Sequence, residues 1–197
     1  IVYAKSADDY SIVKNGSVDV TDDIQTMIDD VYSMGGGTAF LPEGEYRIDG
    51  NLYVKQGVFL RGEWEEPTAG QAINGTVLAI YSSKGTSSLQ PTIELDDCSG
   101  VKELVFWYPE QSATSVQVFP PTVGVYRNST DIIERCMTIE RVTFVNSYIA
   151  ITNDAPPRNA FVFGNMTYDI QGNVKTGLEI SRWQTDYRNP SAGTDPK

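Results

Sequence analysis

The chain has 197 residues, of which 40% are hydrophobic, and its formal net charge at neutral pH is −11. That length is enough for one sizeable core, and no apolar run approaches the ~20 residues needed to cross a bilayer. The negative charge disfavours nucleic acids and acidic membrane surfaces as partners, because phosphate binding requires clustered Lys and Arg.

One helix is predicted over residues 21–34, after an entry strand and a loop in residues 1–11. Thr21 is a suitable N-cap, and Asp22 and Asp23 follow in the first turn, where the helix dipole favours acidic groups. The helical spacing is carried by four apolar residues, Ile24, Met27, Ile28 and Val31. The glycines at 35–37 are expected to end the helix. Such a helix buries little alone, so we expect it to cover the open end of a larger core.

Short β-runs rich in β-branched and aromatic residues follow the glycines, with turn residues between them. They are Thr38–Leu41, Tyr46–Ile48, Leu52–Val54, Val58–Leu60 and Thr76–Ile80. Strands this short and dense favour a solenoid over a βαβ sheet. The polar insertions 63–75 and 82–90 are predicted to leave the coil at its corners, where repeat folds often build a binding face.

An internal repeat supports the solenoid. Cys98, Val101, Leu104 and Phe106 recur 38 positions later as Cys136, Ile139, Val142 and Phe144. Equal offsets predict the same corner and strand of two stacked coils. The two cysteines would then form either a pair of buried thiols or a disulfide. No C-terminal cap is evident, so further polypeptide or another chain is expected to complete the fold.

The opening stretch resembles the N-terminal part of the pectate-lyase-like superfamily, as found in many bacterial and phage β-helix proteins. The residues that carry the resemblance are 16–25, 28–29, 35–38, 41–48 and 57–62. The resemblance implies an all-β, right-handed parallel β-helix with a capping α-helix, forming a single domain over 1–197. It also implies an extracellular protein whose partner is a poly- or oligosaccharide. The matching motifs belong to the scaffold, so they assign no catalytic residue.

The chain contains no histidine, which excludes Ser-His-Asp catalysis and imidazole metal sites. Glycosidic cleavage would then need two carboxylates, about 5–5.5 Å apart for retention or about 6.5–9.5 Å apart for inversion. Stacked strands lie about 4.8 Å apart, so carboxylates on neighbouring coils suit this range. The candidate catalytic residues are Asp96, Asp97, Glu110 and Asp154. The alternative is that they are turn residues, where Asp is common for backbone reasons.

The segment 106–111 leaves a strand with two aromatic rings, a carboxylate and an amide. Sugars stack on aromatic faces, so Trp107, Tyr108 and Gln111 are candidate substrate-binding residues. Trp64, among several glutamates, is another. The alternative for Trp107 and Tyr108 is packing beneath a loop. No acid cluster with metal-ligand spacing is evident, and neither a metal nor a cofactor is predicted.

Three functions remain open. The first is an extracellular glycoside hydrolase with a carboxylate pair. The second is a glycan-binding β-helix of the tailspike or adhesin kind. The third is a pectate-type polysaccharide lyase, for which arginines are available but an acid cluster for Ca²⁺ is not.

Overall fold

The computed structural model describes residues 4–67, 73–86, 88, 90–112, 114–125 and 137–153, with the backbone of four strands between 159 and 184. Within these described ranges, a short 3-10 helix, Ala7–Tyr10, and one α-helix, α1 (Thr21–Ser33), accompany sixteen strands. The strands are β1 Ala4–Ser6, β2 Asn15–Asp19, β3 Gly37–Phe40, β4 Gly44–Ile48, β5 Leu52–Val54, β6 Val58–Arg61, β7 Thr76–Ile80, β8 Ile93–Leu95, β9 Gly100–Trp107, β10 Val123–Val125, β11 Met137–Val145, β12 Ile151–Asn153, β13 Asn159–Phe163, β14 Met166–Tyr168, β15 Val174–Gly177 and β16 Trp183–Gln184.

Strands β1–β14 form a right-handed parallel β-helix with three faces, which confirms the predicted fold. Strands β15 and β16 instead pair antiparallel with β14 and β13. The first face stacks β1, β3, β6 and the first halves of β9 and β11. The second stacks β2, β4, β7 and the second halves of β9 and β11. The third stacks β5, β8, β10 and β12. We call the turn from first to second face the first corner, from second to third the second corner, and from third to first the third corner.

The 38-residue repeat is confirmed at three of its positions. In the parallel pairing of β9 with β11, Val101 lies beside Ile139, Leu104 beside Val142 and Phe106 beside Phe144. The two phenylalanine rings stack with centroids 5.6 Å apart. The fourth pair includes Cys136, which lies outside the described residues, while Cys98 is a free thiol.

The core is a set of ladders, because every second residue of each strand points inward. One ladder of the first face runs through Ala39, Leu60, Val101 and Ile139, all buried. The rungs belong to successive coils, so each coil buries its apolar side chains only by stacking on its neighbours.

The N-cap of helix α1 lies one residue earlier than predicted. Thr21 is the first helical residue and Val20 the N-cap, but Val20 makes no side-chain capping bond. The Asp19 carboxylate instead accepts hydrogen bonds from the Thr21 N–H at 3.0 Å and the Asp49 N–H at 3.1 Å. Burial alone would raise the pKa of Asp19. These two bonds, a third hydrogen bond from the Thr21 hydroxyl, and the nearby Arg47 together hold that pKa below its usual value.

In the first coil, α1 takes the place that a third-face strand has in later coils. Its buried side chains cover the end of the core, as expected from the sequence. The Gln25 amide also acts as a substitute strand. It accepts from the Tyr53 N–H at 2.9 Å and donates to the Tyr53 carbonyl at 3.1 Å, on the edge of β5. Among the described residues, no helix is long and apolar enough to cross a membrane.

Candidate functional site

The first corner has an unusual backbone. Glu103 and Arg141 stand at the bends of β9 and β11 with φ values of 57° and 49°. Residues other than glycine rarely adopt this left-handed backbone conformation, because it is strained. Such strain persists where the surrounding structure holds the backbone in place. Gly62 occupies the neighbouring coil, and a Cβ there would lie 2.7 Å from the Glu103 carbonyl oxygen. The corner is therefore tightly packed and its charged side chains point outward from a fixed backbone.

A cleft of about 640 Å³ lies along this corner. It is lined by Lys5, Ser6, Asp9, Thr38, Phe40, Arg61, Gly62, Glu63, Trp64 and Glu103. The lining thus combines two basic residues, three acids, and two aromatic rings. On the first face, Ser6 of β1, Phe40 of β3 and Arg61 of β6 lie in register on successive strands.

Three charged side chains from successive coils form one cluster, and two of them, Arg61 and Glu103, line the cleft. Glu103 lies on the coil between those of Arg61 and Arg141, and its two carboxylate oxygens accept from Arg61 Nε and from an Arg141 terminal nitrogen. The Glu103 side chain is only 12% exposed, whereas those of Arg61 and Arg141 are 51% and 52% exposed. The cluster therefore carries one net positive charge and presents it to solvent.

Trp64 forms one wall and is held from behind. Its indole N–H donates to the Thr143 hydroxyl at 2.8 Å, two coils beyond the loop that carries it. The ring also packs on an outer apolar cluster of Val77, Val105 and Val145, with Trp107 on the same cluster. A ring fixed in this way offers a rigid surface to a ligand.

The N-terminal segment contributes Lys5, Ser6 and Asp9 to the lining, and α1 anchors it. The Ser6 N–H donates to the Asp9 carboxylate at 2.9 Å, which closes a capping box on the 3-10 helix. The Tyr10 hydroxyl donates to Asp30 on α1 at 2.7 Å. Burial and the bond to Asp30 raise the pKa of Tyr10 to about 12. The capping region thus contributes to the cleft as well as to the fold.

The carboxylates that line the cleft are already engaged. Glu63 accepts from the Glu43 N–H at 2.6 Å, and Asp9 accepts from the Ser6 N–H. Glu103 binds the two arginines. The cleft is therefore better suited to binding an anionic group through a cationic side chain than to catalysis by two free carboxylates.

The predicted aromatic segment, residues 106–111, lies at the second corner and is largely buried. Tyr108 is fully buried, with its hydroxyl 2.8 Å from that of Thr122 and its ring edge-on to Phe119. Burial raises the pKa of Tyr108 to about 12. The prediction that Tyr108 stacks on a sugar is wrong, because no ring face is left for a ligand.

The neighbours of Tyr108 also serve the packing of this corner. Gln111 is 8% exposed, and its amide accepts from the Gln117 N–H at 2.7 Å and donates to the Gln117 carbonyl at 2.8 Å. Trp107 is half-buried on the outer apolar cluster. Glu110 is paired with Lys84 at 3.4 Å. As substrate-binding or catalytic residues, these three stay predictions.

The other candidate acids lie elsewhere. Asp96 and Asp97 follow β8 at the third corner, where Asp96 accepts from the Tyr53 hydroxyl and the Asp97 carbonyl accepts from the Gly57 N–H. Asp154 lies outside the described residues. The structure brings together neither Asp96 nor Asp97 with Glu110. Of the predicted residues that the structure describes, Trp64 is the one that lines the cleft.

Sequence reasoning missed Arg61 and Glu103. Both stand in segments that were recognised, Arg61 at the end of a scaffold motif and Glu103 at a variable position of the repeat. The sequence signal that could have identified Arg61 and Glu103 is the presence of charged residues at the positions where the stacked strands bend. In the described ranges, no group of three or more Cys, Asp or Glu side chains could hold a metal ion.

Comparison with known proteins places the scaffold in a family. The model described as "Rhamnogalacturonase A/epimerase, pectate lyase-like" matches residues 4–106. Mannuronan C5-epimerase AlgE4 of Azotobacter vinelandii is 39% identical over 102 residues, which is 45% of this chain and 18% of that protein. Alginate lyase 7 of the same organism is 36% identical over 74 residues, or 34% of this chain and 9% of that protein.

The fold also matches solved structures. The A-module of the A. vinelandii epimerase AlgE4 superposes with a TM-score of 0.59 at 22% identity, covering 85% of this chain and 45% of that one. At this identity the match supports the fold alone. The chain thus spans less than half of that module and less than a fifth of the whole AlgE4 protein.

Proposed function

Because the chain belongs to the rhamnogalacturonase A/epimerase, pectate-lyase-like family, we propose that it binds and processes an acidic polysaccharide in the first-corner cleft. The observation that carries this proposal is the half-exposed Arg61 guanidinium, held by Glu103 beside the fixed ring of Trp64. Guanidinium groups bind carboxylates in a fork geometry, and an aromatic ring offers a face on which a sugar can stack. The relatives are named for mannuronan and alginate, which are polymers of uronic acids.

The reaction that best suits this site is proton chemistry at C5 of a uronate. When the C5 proton is removed, negative charge develops beside the carboxylate in the transition state. Neutralising that carboxylate therefore makes the C5 proton more acidic. Arg61 would supply that neutralising charge. Return of a proton to the other face gives the epimer, whereas loss of the C4 oxygen gives an unsaturated product and a cleaved chain.

Hydrolysis by paired carboxylates is the second candidate. Glu63 and Glu103 line the same cleft, and the family description names a rhamnogalacturonase beside an epimerase. Against it, both carboxylates are hydrogen-bonded to other groups. A glycan-binding role without turnover is the third. We also propose an extracellular location, since polymers of this kind lie outside cells.

Binding is tested first, by titrating the protein with polymannuronate, polygalacturonate and neutral dextran at fixed low salt. We expect binding of at least one uronate polymer and none of dextran. The Arg61→Gln variant should bind about tenfold or more weakly, because a charge-assisted hydrogen bond contributes about 1.5–3 kcal/mol. Arg47→Gln is the matched control, since Arg47 is also part-exposed and paired with an acid, Asp49, but lies at the second corner.

Products then separate the reaction classes. An unsaturated uronate absorbing in the ultraviolet identifies a lyase, and exchange of the C5 hydrogen with solvent identifies an epimerase. New reducing ends without unsaturation identify a hydrolase. Equal binding of dextran and uronate polymers, or equal losses in the Arg61 and Arg47 variants, would contradict the assignment of the cleft.

A further inference from the structure

We infer that Glu103 is a positioning residue that turns Arg61 into a receptor for a ligand carboxylate, an inference that rests on the proposed function. The usual expectation for an acid in a cleft that binds acidic polymers is the opposite, because its charge repels the ligand. The local geometry gives Glu103 a different role. It engages one particular nitrogen of Arg61 and leaves the others for the ligand.

The hydrogen bond from Arg61 to Glu103 uses Nε. Among the described residues, the two terminal nitrogens of Arg61 donate no hydrogen bond. These terminal nitrogens form one edge of the guanidinium, and a pair of parallel N–H bonds from a guanidinium is a strong way to bind a carboxylate. Fixing Nε removes most of the freedom of a long side chain, which lowers the entropy cost of binding.

Glu103 can do this because it is itself fixed. Its side chain is 12% exposed and is held from both sides, by Arg61 of the preceding coil and Arg141 of the following one. Its backbone is in the left-handed region, in contact range of Gly62. The corner cannot relax without disturbing three stacked coils, so the carboxylate is a rigid support.

A second acid on the same face provides a matched control. Glu140 is paired with Lys102 of the neighbouring coil at 3.2 Å, and these side chains are 34% and 31% exposed. Lys102 also lies over the Phe59 ring at 4.8 Å. Neither Glu140 nor Lys102 lines the cleft. Removing the Glu140 charge therefore changes the electrostatics of the face without touching the receptor.

The experiment compares Glu103→Gln and Glu140→Gln with the wild-type protein for binding of the uronate polymer, over a series of salt concentrations. Both substitutions make the protein more positive by one charge. A positioning role predicts that Glu103→Gln binds about tenfold more weakly despite this gain, while Glu140→Gln binds equally or slightly more tightly. If Glu103→Gln also binds equally or more tightly, the positioning role is wrong.

A further variant keeps the test decisive if Glu103→Gln does not fold, which a cooperative thermal transition would reveal. Arg61→Lys retains the charge but lacks the fork, so it should lose about as much affinity as Arg61→Gln. Wild-type affinity in Arg61→Lys would overturn the receptor. Failure of the proposed function is distinguishable, because the wild-type protein would then show no preference for acidic over neutral polymers.

Discussion

The first and second corners of the solenoid both carry aromatic rings, carboxylates and amides, and they use them differently. At the second corner, Tyr108 and Gln111 turn inward and bind their own chain. At the first corner, Trp64 and Arg61 remain partly exposed, supported by Thr143 and Glu103 behind them. Residue type alone thus does not distinguish packing from recognition. What distinguishes them is whether a second layer of contacts fixes the side chain while leaving it accessible.

The largest effect that tests this contrast is expected from Tyr108→Ala. The fully buried ring packs on Phe119 and its hydroxyl on Thr122, and truncating such an aromatic typically costs about 3–5 kcal/mol. The free energy of unfolding in urea measures this. Val116→Ala, at 63% exposure in the loop of the same corner, should change it by less than about 0.5 kcal/mol. If Tyr108→Ala instead kept its stability and lost polymer binding, the two corners would not differ as described.

A smaller effect, dependent on pH, is expected where the second corner meets α1. Asp19→Asn removes the carboxylate that joins Thr21 and Asp49, and loss of a helix-capping acceptor costs about 0.5–2 kcal/mol at neutral pH. The pKa of Asp19 is lowered by folding, so its stabilisation is complete above the unfolded value of about 3.9 and is lost as pH falls through the folded value.

The measurement for Asp19 is urea unfolding from neutral to acid pH. The difference between wild-type and Asp19→Asn proteins should shrink as pH falls below about 4, following the linkage between pKa and stability. Asp22→Asn, an exposed acid in the first turn of α1, is the control and should cost only a few tenths of a kcal/mol. A difference that grows toward acid pH would show that the sign is wrong.

The smallest effects come from two tryptophans on one apolar cluster. Trp64→Phe removes the N–H that binds Thr143, so we expect a loss of about 0.5–1.5 kcal/mol in stability and a modest loss of polymer affinity. The Trp107 N–H is buried and has no acceptor among the described residues. Trp107→Phe should therefore leave stability unchanged or raise it slightly. Equal losses from both variants would imply that ring size, not the hydrogen bond to Thr143, positions Trp64.

Much of the fold could be predicted because it follows from local patterns. The spacing of Ile24 to Val31 predicted α1, and the equal offsets between Val101 and Ile139 predicted stacked coils. The inward position of Tyr108 also follows from the sequence, since Leu104 and Phe106 of β9 and Tyr108 directly after it form one alternating series. The aromatic and acidic residue types of 106–111 favour a binding role, whereas the period of the strand predicts packing.

The cleft could not be predicted in the same way. Arg61 and Glu103 are 42 positions apart and meet because the loop after β6 is accommodated outside the coil, so that their strands stack. Their contact depends on the register between β6 and β9. That register cannot be predicted from the sequence, because the path of the inserted loop after β6 is not known in advance. The contribution of residues 5–9 to the cleft depends likewise on the pairing of β1 with β3 and on the anchor from Tyr10 to Asp30.

The Gln25 side chain has a consequence beyond the first coil. A parallel strand at the end of a stack presents unpaired amide and carbonyl groups, which invite another chain to add a strand and extend the assembly. Gln25 occupies both groups of Tyr53 on the edge of β5. The Gln25 amide thus occupies the backbone groups to which a further strand would bind. This edge is protected from intermolecular pairing by one side chain.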